Sequence, residues 1–507
     1  MYMYYSKESK KKMECTAAYK LATSSLKGRL IAPYQREGVV WMLMREFSDS
    51  RVKGGFLCDE MGLGKTIQII ATILGNPGKR TLIVVPKSIV NQWCEEIAKF
   101  APHLTVHTFD GPGRKPCETS DIVIAPYSVM VKKGKPRGTP TELHQYEWGR
   151  IVLDEGHEIR NSSSKIHESL RVLNSKIRWC VTGTPVYNSI DDFVALCGFL
   201  GIPKNVVQAM STEIRKTYVL RRTKQDVAEF NARLELPPCD FQNVELDMYP
   251  EEKELYRQVY TESRDIVNRI FKQDNAGMHA MIVLECFLRT RQAMIWPQLY
   301  MNGMAKKKDE VPEPWMHSSK KMDTLLELIG THPNEKSLVF CQFMEEMNHI
   351  EEKLLEVDTT VFRIDGSVDQ MCRTDHIEQF KKHAGGCVFI IQIKSGGQGL
   401  NLQSATRVYI MSPSWNPATE LQAIARSHRT GQDTKVVVRK LIYTGTENLP
   451  SIEESMMALQ GHKSMICSEV LNDPRLAGQI PKLRAHQQHD GGGGELTIRE
   501  IRKIFNV

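Results

Sequence analysis

The sequence has no pair of cysteines at CxxC spacing and no long apolar run. Its twelve cysteines are scattered along 507 residues, which argues against a zinc knuckle or a disulfide framework and predicts reduced thiols. No apolar stretch approaches the roughly 18 residues that a membrane-spanning helix needs, and the opening MYMYYSKESKKKM lacks the apolar centre of a secretion signal. We therefore expect an intracellular protein with no membrane partner and no zinc.

Charge of one sign is also scarce. The 67 basic residues exceed the 60 acidic residues only slightly, which gives a net charge of +7. This balance permits a nucleic-acid partner without indicating one. With 41% hydrophobic and 25% charged residues, the chain has the composition of a globular protein, and its length allows two or three domains.

Short β-branched runs alternate with amphipathic stretches in two series, the pattern of parallel sheets covered by helices. Between the two series, residues 191–320 read as charged helical sequence. We therefore predict an α/β fold with two parallel-sheet lobes and helical insertions between them. The predicted strands lie at 81–86, 121–127, 150–156 and 178–185 in the first lobe and at 337–342, 360–366, 387–393, 406–412 and 436–443 in the second.

The predicted domain boundaries follow from these changes of pattern. The C-terminal stretch has four consecutive glycines before a short amphipathic segment, which is either a tethered helix or a frayed end. The boundaries are an N-terminal tail at 1–26, a first lobe at 27–190, insertions and a connector at 191–320, a second lobe at 321–450, a helical region at 451–484 and a glycine-hinged tail at 485–507.

FLCDEMGLGKTIQ follows an apolar run and opens a helix, where a phosphate-binding loop is expected. Gly62 and Gly64 would let backbone N–H groups approach phosphate oxygens. Lys65 would reach the β- and γ-phosphates and Thr66 would bind magnesium. Because Asp59 stands at the first glycine position, the strict G-x-x-x-x-G-K-[ST] pattern is not met, and a glycine turn with a solvated lysine is the alternative.

IVLDEGHEIR ends a predicted strand in an acidic pair. Asp154 can present a carboxylate to magnesium and Glu155 to a water molecule, the two tasks that nucleotide hydrolysis requires. The alternative is an acidic strand end that faces solvent. It is less favoured because Lys65 and the acidic pair occur in order on one lobe, each at a strand end, where α/β sheets bind their ligands.

The order of the motifs resembles that of the Swi/Snf-type helicase-like ATPases of helicase superfamily two, from about residue 27 to about residue 470. The resemblance implies two RecA-like lobes, with ATP and Mg²⁺ as cofactors. The first-lobe motifs are APYQREGVVWM (32–42), DEMGLGKT (59–66), VVPKSIVNQW (84–93), DEGH (154–157), TGTP (182–185) and VLRRTKQDV (219–227) followed by LPP (236–238). The second-lobe motifs are QIKSGGQGLNL (392–402) and QAIARSHRTGQ (422–432).

This resemblance also implies roles for individual residues. Arg426 and Arg429 would stabilise charge on the γ-phosphate, and His157 would couple the phosphate state to the other lobe. The implied catalytic residues are Lys65, Asp154, Glu155, His157, Arg426 and Arg429, with Thr66 and Asp154 as magnesium ligands. The implied nucleotide contacts are Gln35, Asp59, Glu60, Met61, Gly62, Leu63, Gly64, Lys65, Thr66 and Gln422. The implied nucleic-acid contacts are Lys87, Tyr127, Lys394, Ser395 and Gly396.

Four positions depart from the family pattern: Gly156 replaces an alanine, Gln392 a serine, Ser395 an alanine and Ala425 a glycine. None of the changes removes a charged or metal-binding group, so we expect an active ATPase. Gly156 would loosen the backbone at a cost of about 1 kcal/mol relative to alanine. We therefore expect Gly156→Ala to leave activity within a few-fold.

The leading expectation is a compact, motor-only member of the family, as in viral and microbial relatives. It would be a DNA-stimulated ATPase that tracks along double-stranded DNA, including nucleosomal DNA, in chromatin remodelling, transcription or repair. It would act in the nucleus or at a viral replication site through a recruiting protein. The basic loop at 129–140 is a candidate phosphate contact or a solvated loop. The alternative functions are a strand-separating helicase on RNA or single-stranded DNA and a nucleotide-switched scaffold.

Overall fold

The chain forms two compact units, one within residues 1–235 and one that comprises most of residues 236–465 and the C-terminal segment 495–507. Each contains one parallel sheet, which confirms the predicted fold class. No helix in the described ranges is both long and apolar enough to cross a membrane. The computed structural model describes residues 7–111, 114, 118–132, 134–136, 138–183, 190–227, 237, 239–273, 279–393, 400–429, 432–471 and 498–507.

The first unit contains a seven-stranded sheet. Its strands are β1 Lys53–Leu57, β2 Thr81–Val85, β3 Val106–Thr108, β4 Ile122–Pro126, β5 Trp148–Asp154, β6 Ser175–Val181 and β7 Val219–Leu220. They lie in the order β3-β4-β2-β5-β6-β1-β7, and every pairing is parallel. Strands β2 and β4 are buried along their whole length, as continuous apolar runs in a parallel sheet should be.

The N-terminal segment, which we expected to be a tail, forms a helix that packs on this unit. Ala18, Ala22 and Leu26 are buried in the same apolar cluster as Leu74. The helices of the first unit are α1 Lys7–Ser25, α2 Pro33–Glu46, α3 Lys65–Gly75, α4 Val90–Phe100, α5 Lys165–Arg171, α6 Ile190–Leu200, α7 Lys204–Ala209, α8 Ser211–Tyr218 and α9 Lys224–Val227.

The second unit contains a six-stranded sheet. Its strands are β8 Cys239–Leu246, β9 Ser337–Cys341, β10 Val361–Ile364, β11 Val388–Gln392, β12 Arg407–Ile410 and β13 Val436–Tyr443, in the order β10-β11-β9-β12-β13-β8. All pairings are parallel. The segment 191–320 thus adds an edge strand to each sheet, β7 and β8. We did not predict either strand, because both are mostly half-buried and lack a continuous apolar run.

Long helices fill most of the predicted insertion, and a helix also forms in the glycine-hinged tail. Ile501 and Ile504 of this last helix and Phe505 directly after it are buried, and the Phe505 ring lies 5.6 Å from that of Tyr260. The tethered helix is therefore the alternative that the structure adopts. The helices of the second unit are α10 Pro250–Lys272, α11 Ala280–Ile295, α12 Pro297–Lys308, α13 Lys320–Gly330, α14 Met344–Leu355, α15 Gln370–Lys382, α16 Pro417–Ile424, α17 Ile452–Leu471 and α18 Ile498–Ile504.

Candidate active site

The glycine-rich loop connects the end of β1 to the start of α3. Gly62 and Gly64 have φ angles of 94° and 74°, a region that favours glycine because it has no Cβ. A Cβ on Gly64 would also lie 2.6 Å from Nε2 of Gln35. Since the loop ends in the free N–H groups of a helix N-terminus, it has the backbone geometry that a phosphate site requires.

Lys65 opens helix α3, and its Nζ donates to the carbonyl oxygens of Asp59 at 2.9 Å and Glu60 at 3.4 Å. Thr66 follows in the first turn and is half-buried. The Thr66 hydroxyl and the Asp154 carboxylate are hard oxygen donors, the ligand type that Mg²⁺ prefers. The residues present therefore fit a magnesium-bound nucleoside triphosphate.

Asp59, one of the predicted nucleotide contacts, is paired with an arginine. Its side chain is fully buried and accepts hydrogen bonds from Nε of Arg222 at 2.9 Å and from Nε2 of Gln68 at 3.1 Å. Nη2 of Arg222 forms a second contact with the same carboxylate. Asp59 thus holds the VLRRTKQDV segment against the loop, and its contact with the nucleotide stays a prediction. The aspartate at the glycine position serves this ion pair.

Arg222 and Lys224 extend the connection between this segment and the loop. The Arg222 guanidinium also donates to Oε1 of Gln68 at 2.9 Å and to the carbonyl oxygen of Tyr34. The Glu60 carboxylate accepts the backbone N–H of Lys224 at 2.9 Å. The glycine-rich loop and the VLRRTKQDV segment are therefore one hydrogen-bonded unit.

Gln35, one of the predicted nucleotide contacts, lies beside the glycine-rich loop. It is buried, its Oε1 accepts the N–H of Ile31 at 3.0 Å, and its Nε2 donates to the carbonyl of Leu63 at 3.4 Å. Leu63 is buried in a small apolar cluster with Tyr34, whereas Met61 is half-buried. The structure thus brings Gln35 and the loop together, and the contact of Gln35 with the nucleotide stays a prediction.

Asp154 ends strand β5, two strands from β1. Its Oδ2 accepts a 2.8 Å hydrogen bond from Nε1 of Trp93, and its Oδ1 accepts the N–H of Glu155 at 2.9 Å. Its carbonyl oxygen accepts a 2.8 Å hydrogen bond from the Tyr127 hydroxyl. Burial, and then the charge of Glu155, raise the pKa of Asp154 to about 6. Three separate contacts therefore fix this strand end.

Two of these contacts were not predicted. Trp93 is 2% exposed, and although it closes the VVPKSIVNQW motif, nothing in the sequence assigned it a partner. Tyr127, predicted as a nucleic-acid contact, is 5% exposed and lies in the first-lobe core. Its hydroxyl donates to the carbonyl oxygen of Asp154, and its contact with nucleic acid stays a prediction.

Glu155 adopts φ 50° and ψ 48°, the left-handed region that non-glycine residues rarely occupy. His157 is buried, and its Nδ1 lies 3.3 Å from Oγ1 of Thr182 and 3.4 Å from Oε2 of Glu155. Burial lowers the pKa of His157 to about 4. The ring is therefore neutral at pH 7, and its contact with Glu155 is not an ion pair.

Gly156 stands between these two residues. A Cβ at this position would lie 2.2 Å from Sγ of Cys180, which is far closer than non-bonded atoms pack. The structure therefore shows an obstacle to alanine at residue 156, which the expected few-fold effect of Gly156→Ala on activity does not take into account.

The second-lobe residues lie on α16 and the turns after it. Gln422 is half-buried on the helix, and Arg426 is 3% exposed. The carbonyl oxygen of Arg426 accepts a 3.0 Å hydrogen bond from the N–H of Leu402. The carbonyl oxygen of Arg429 accepts a 3.4 Å hydrogen bond from Nε2 of Gln403. Both arginines are thus on a segment that is fixed within its own lobe. Their action on a nucleotide stays a prediction.

Among the predicted nucleic-acid contacts, only Lys87 is described with an exposed side chain. It is 71% exposed, with its Nζ 3.8 Å from Oδ2 of Asp110. Lys394, Ser395 and Gly396 lie outside the described residues.

Comparisons with known proteins match both lobes. The SNF2-related domain model matches residues 34–210, and the helicase conserved C-terminal domain model matches residues 320–431. The "Probable global transactivator" of Orgyia pseudotsugata multicapsid polyhedrosis virus is 30% identical over 463 residues, which cover 87% of this chain and 91% of that protein.

Human "DNA excision repair protein ERCC-6-like" is 28% identical over 525 residues, which cover 87% of this chain and 41% of that protein. The SWI2/SNF2 ATPase core of Sulfolobus solfataricus, solved in complex with double-stranded DNA, is 27% identical, with a TM-score of 0.38 and coverage of 91% of this chain and 98% of that chain. The chain thus spans nearly all of the viral relative and less than half of the human one.

Proposed function

Because the chain belongs to the SNF2-related family of helicase-like ATPases, we propose that it hydrolyses ATP to move along double-stranded DNA. The observation that carries the proposal is the placement of two motifs on one sheet. The glycine-rich loop follows β1, the acidic pair follows β5, and only β6 lies between these parallel strands. Ligands of α/β proteins bind at this carboxyl edge.

In the proposed reaction, the N–H groups around Gly62 and Gly64 bind the phosphates and Lys65 neutralises part of their charge. Thr66 and Asp154 would hold Mg²⁺, which supplies positive charge at the phosphate oxygens. Trp93 orients the Asp154 carboxylate through its 2.8 Å hydrogen bond. The Asp154 carboxylate accepts hydrogen bonds from the buried Trp93 indole and from the backbone N–H of Glu155. Because these two groups hold its orientation, the carboxylate needs little rearrangement when it binds its ligand.

Glu155 is the residue that we assign to orient the attacking water. The neutral ring of His157 connects the acidic box to Thr182 of the TGTP motif, so displacement of one affects the other. We assign Arg426 and Arg429 to the charge that develops on the γ-phosphate, since guanidinium groups stabilise it without a change of protonation.

Double-stranded DNA is the proposed track. Family membership supports this, and the exposed side chains of Lys87, Lys132 and Lys135 offer phosphate contacts, which give affinity without sequence preference. We further propose nucleosomal DNA as one substrate, a separate protein that recruits the motor, and a role in chromatin remodelling, transcription or repair at a nuclear or viral replication site.

The test is ATP turnover measured without nucleic acid and with duplex DNA, single-stranded DNA or RNA. We expect duplex DNA to stimulate turnover most and Glu155→Gln to abolish it. Stimulation by RNA alone would refute the proposed track and favour a strand-separating helicase. ATP binding without turnover under all four conditions would favour a nucleotide-switched scaffold. Displacement of a third strand from a DNA triplex then tests translocation itself.

A further inference from the structure

The thiol of Cys180 occupies the place that a side chain at residue 156 would need. Cys180 lies on β6, where its register partners are Leu153 of β5 and Phe56 of β1. A Cβ built on Gly156 lies 2.2 Å from Sγ of Cys180, but 3.7 Å from its Cβ. The second distance is an ordinary contact, so a single sulfur atom excludes alanine from residue 156.

Rotation of the Cys180 thiol does not readily relieve its overlap with a Cβ at residue 156. Cys180 is fully buried and packs in one apolar cluster with Cys58, Cys197 and Tyr127. Interiors are close-packed, so moving the sulfur displaces these neighbours. The hydroxyl of Tyr127 also holds the carbonyl oxygen of Asp154. A displaced thiol would therefore disturb the same strand end that carries the acidic pair.

The backbone next to this sulfur carries Glu155, the residue assigned to orient the attacking water. Glu155 is in the left-handed region, and the short 3₁₀ turn Gly156–Ile159 follows it directly. A non-glycine residue keeps such a conformation only where its surroundings enforce it. The Glu155 N–H is bonded to Oδ1 of Asp154 on one side, and Gly156 rests on Cys180 on the other.

We propose that Cys180 is a positioning residue for Glu155. Its sulfur fixes the distance between the turn at residues 156–159 and strand β6. Residue 156 is therefore a glycine, and a smaller residue at 180 would allow alanine at 156. The inference rests on the proposed ATP hydrolysis for its effect on turnover, but the packing relationship is independent of it.

A double-mutant cycle tests the proposal with Gly156→Ala, Cys180→Ala and the double variant. We expect Gly156→Ala to lower kcat at least about tenfold, with the Kd for ATP within about threefold because the glycine-rich loop is not touched. Cys180→Ala should cost only about two- to fivefold, and the double variant should recover to within about threefold of Cys180→Ala. Multiplicative losses in the double variant would overturn the proposal.

Two further variants separate positioning from general damage. Gly156→Ala combined with Cys180→Ser keeps an oxygen atom in the place of Sγ, so kcat should not recover. Gly198→Ala is the matched control, because Gly198 lies in α6 with no atom within 4 Å of an added Cβ, and it should leave kcat unchanged. A folded Gly156→Ala variant with wild-type kcat would also overturn the role of Cys180.

Thermal unfolding of the same proteins distinguishes this inference from the proposed function. The coupling between residues 156 and 180 should appear as a lowered Tm in Gly156→Ala that the double variant recovers, whether or not ATP is hydrolysed. Wild-type protein without turnover would refute the proposed function alone, whereas additive changes in Tm would refute the pairing.

Discussion

The indole N–H of Trp93 donates a 2.8 Å hydrogen bond to the carboxylate of Asp154. The tryptophan comes from α4 and the aspartate from the end of β5, 61 residues further along the chain. A half-buried carboxylate is stabilised by such a donor, because an unpaired charge removed from water is costly. Trp93 therefore belongs to the candidate site, although it has no chemistry of its own.

Trp93→Phe removes this donor and keeps most of the ring. Hydrogen bonds to charged groups contribute about 1.5–3 kcal/mol, so we expect the Mg²⁺ concentration for half-maximal turnover to rise by about tenfold. Titration of turnover against Mg²⁺ measures it. Trp148→Phe is the control, because Trp148 is equally buried but donates to the carbonyl of Leu143, and it should leave the Mg²⁺ dependence unchanged. An equal shift in both variants would contradict the assignment.

Arg222→Ala leaves the buried carboxylate of Asp59 without its cation. Breaking one side of a buried pair costs about 3–5 kcal/mol, and we expect a lower Tm together with weaker ATP binding because the glycine-rich loop loses its support. Arg222→Ala with Asp59→Asn should recover part of the Tm, since no charge is then left unpaired. Thermal unfolding and nucleotide binding measure both effects. A double variant no more stable than Arg222→Ala would refute the pair as the cause.

Tyr127→Phe separates the observed contact of Tyr127 with Asp154 from its predicted contact with nucleic acid. Loss of one neutral hydrogen bond to Asp154 should cost about 1 kcal/mol of stability, while DNA affinity and its salt dependence stay unchanged. Lys87→Ala is the matched comparison and should weaken DNA binding, with a smaller salt dependence, at unchanged stability. A loss of DNA affinity in folded Tyr127→Phe would instead support a direct contact of Tyr127 with nucleic acid.

Glu346 should make the stability of the second unit depend on pH. Burial raises its pKa to about 7, above its value in the unfolded chain. The folded state therefore favours the protonated carboxyl, and stability falls as pH rises from about 4.5 through 7. The Tm of Glu346→Gln minus that of the wild type should increase over this range and then level off. A constant difference between pH 5 and pH 8.5 would contradict this pKa.

Truncation before residue 498 removes a helix that the second unit packs against. Ile501, Ile504 and Phe505 are buried, and deletion of buried aromatic or aliphatic side chains costs about 2–5 kcal/mol each in a full core. We expect a lower Tm and faster proteolysis of α10 and α11. Arg502→Ala, at an exposed position of the same helix, should have little effect. Unchanged proteolysis after truncation would contradict a structural role for the helix.

The sequence was informative where the signal is local. The glycines, Lys65 and the acidic pair lie at strand ends that continuous apolar runs had marked, and the structure has strands there. Pairings between distant segments were not predictable, since nothing in one sequence connects Asp59 with Arg222, 163 residues away. The contact of Tyr127 with Asp154 was not predictable either, because a tyrosine just after a strand can face either solvent or the next strand end.

Elements with weak patterns were missed for a related reason. Strand β8 is half-buried over most of its length, so its residues show no clear apolar periodicity. Helix α1 buries small residues such as Ala18 and Ala22, whose burial contributes little to an apolar pattern. For Gly156 the sequence indicates only backbone freedom, because Cys180, which obstructs a side chain there, is a neighbour only in the folded chain.

The contact between Gly156 and Cys180 also restricts the order in which substitutions can accumulate. Alanine at residue 156 conflicts with the sulfur, whereas alanine at residue 180 leaves only a small cavity. In a lineage that exchanges the DEGH box for DEAH, the substitution at residue 180 should therefore come before the substitution at residue 156. The two codons should change together across relatives, with small residues at 180 wherever alanine stands at 156.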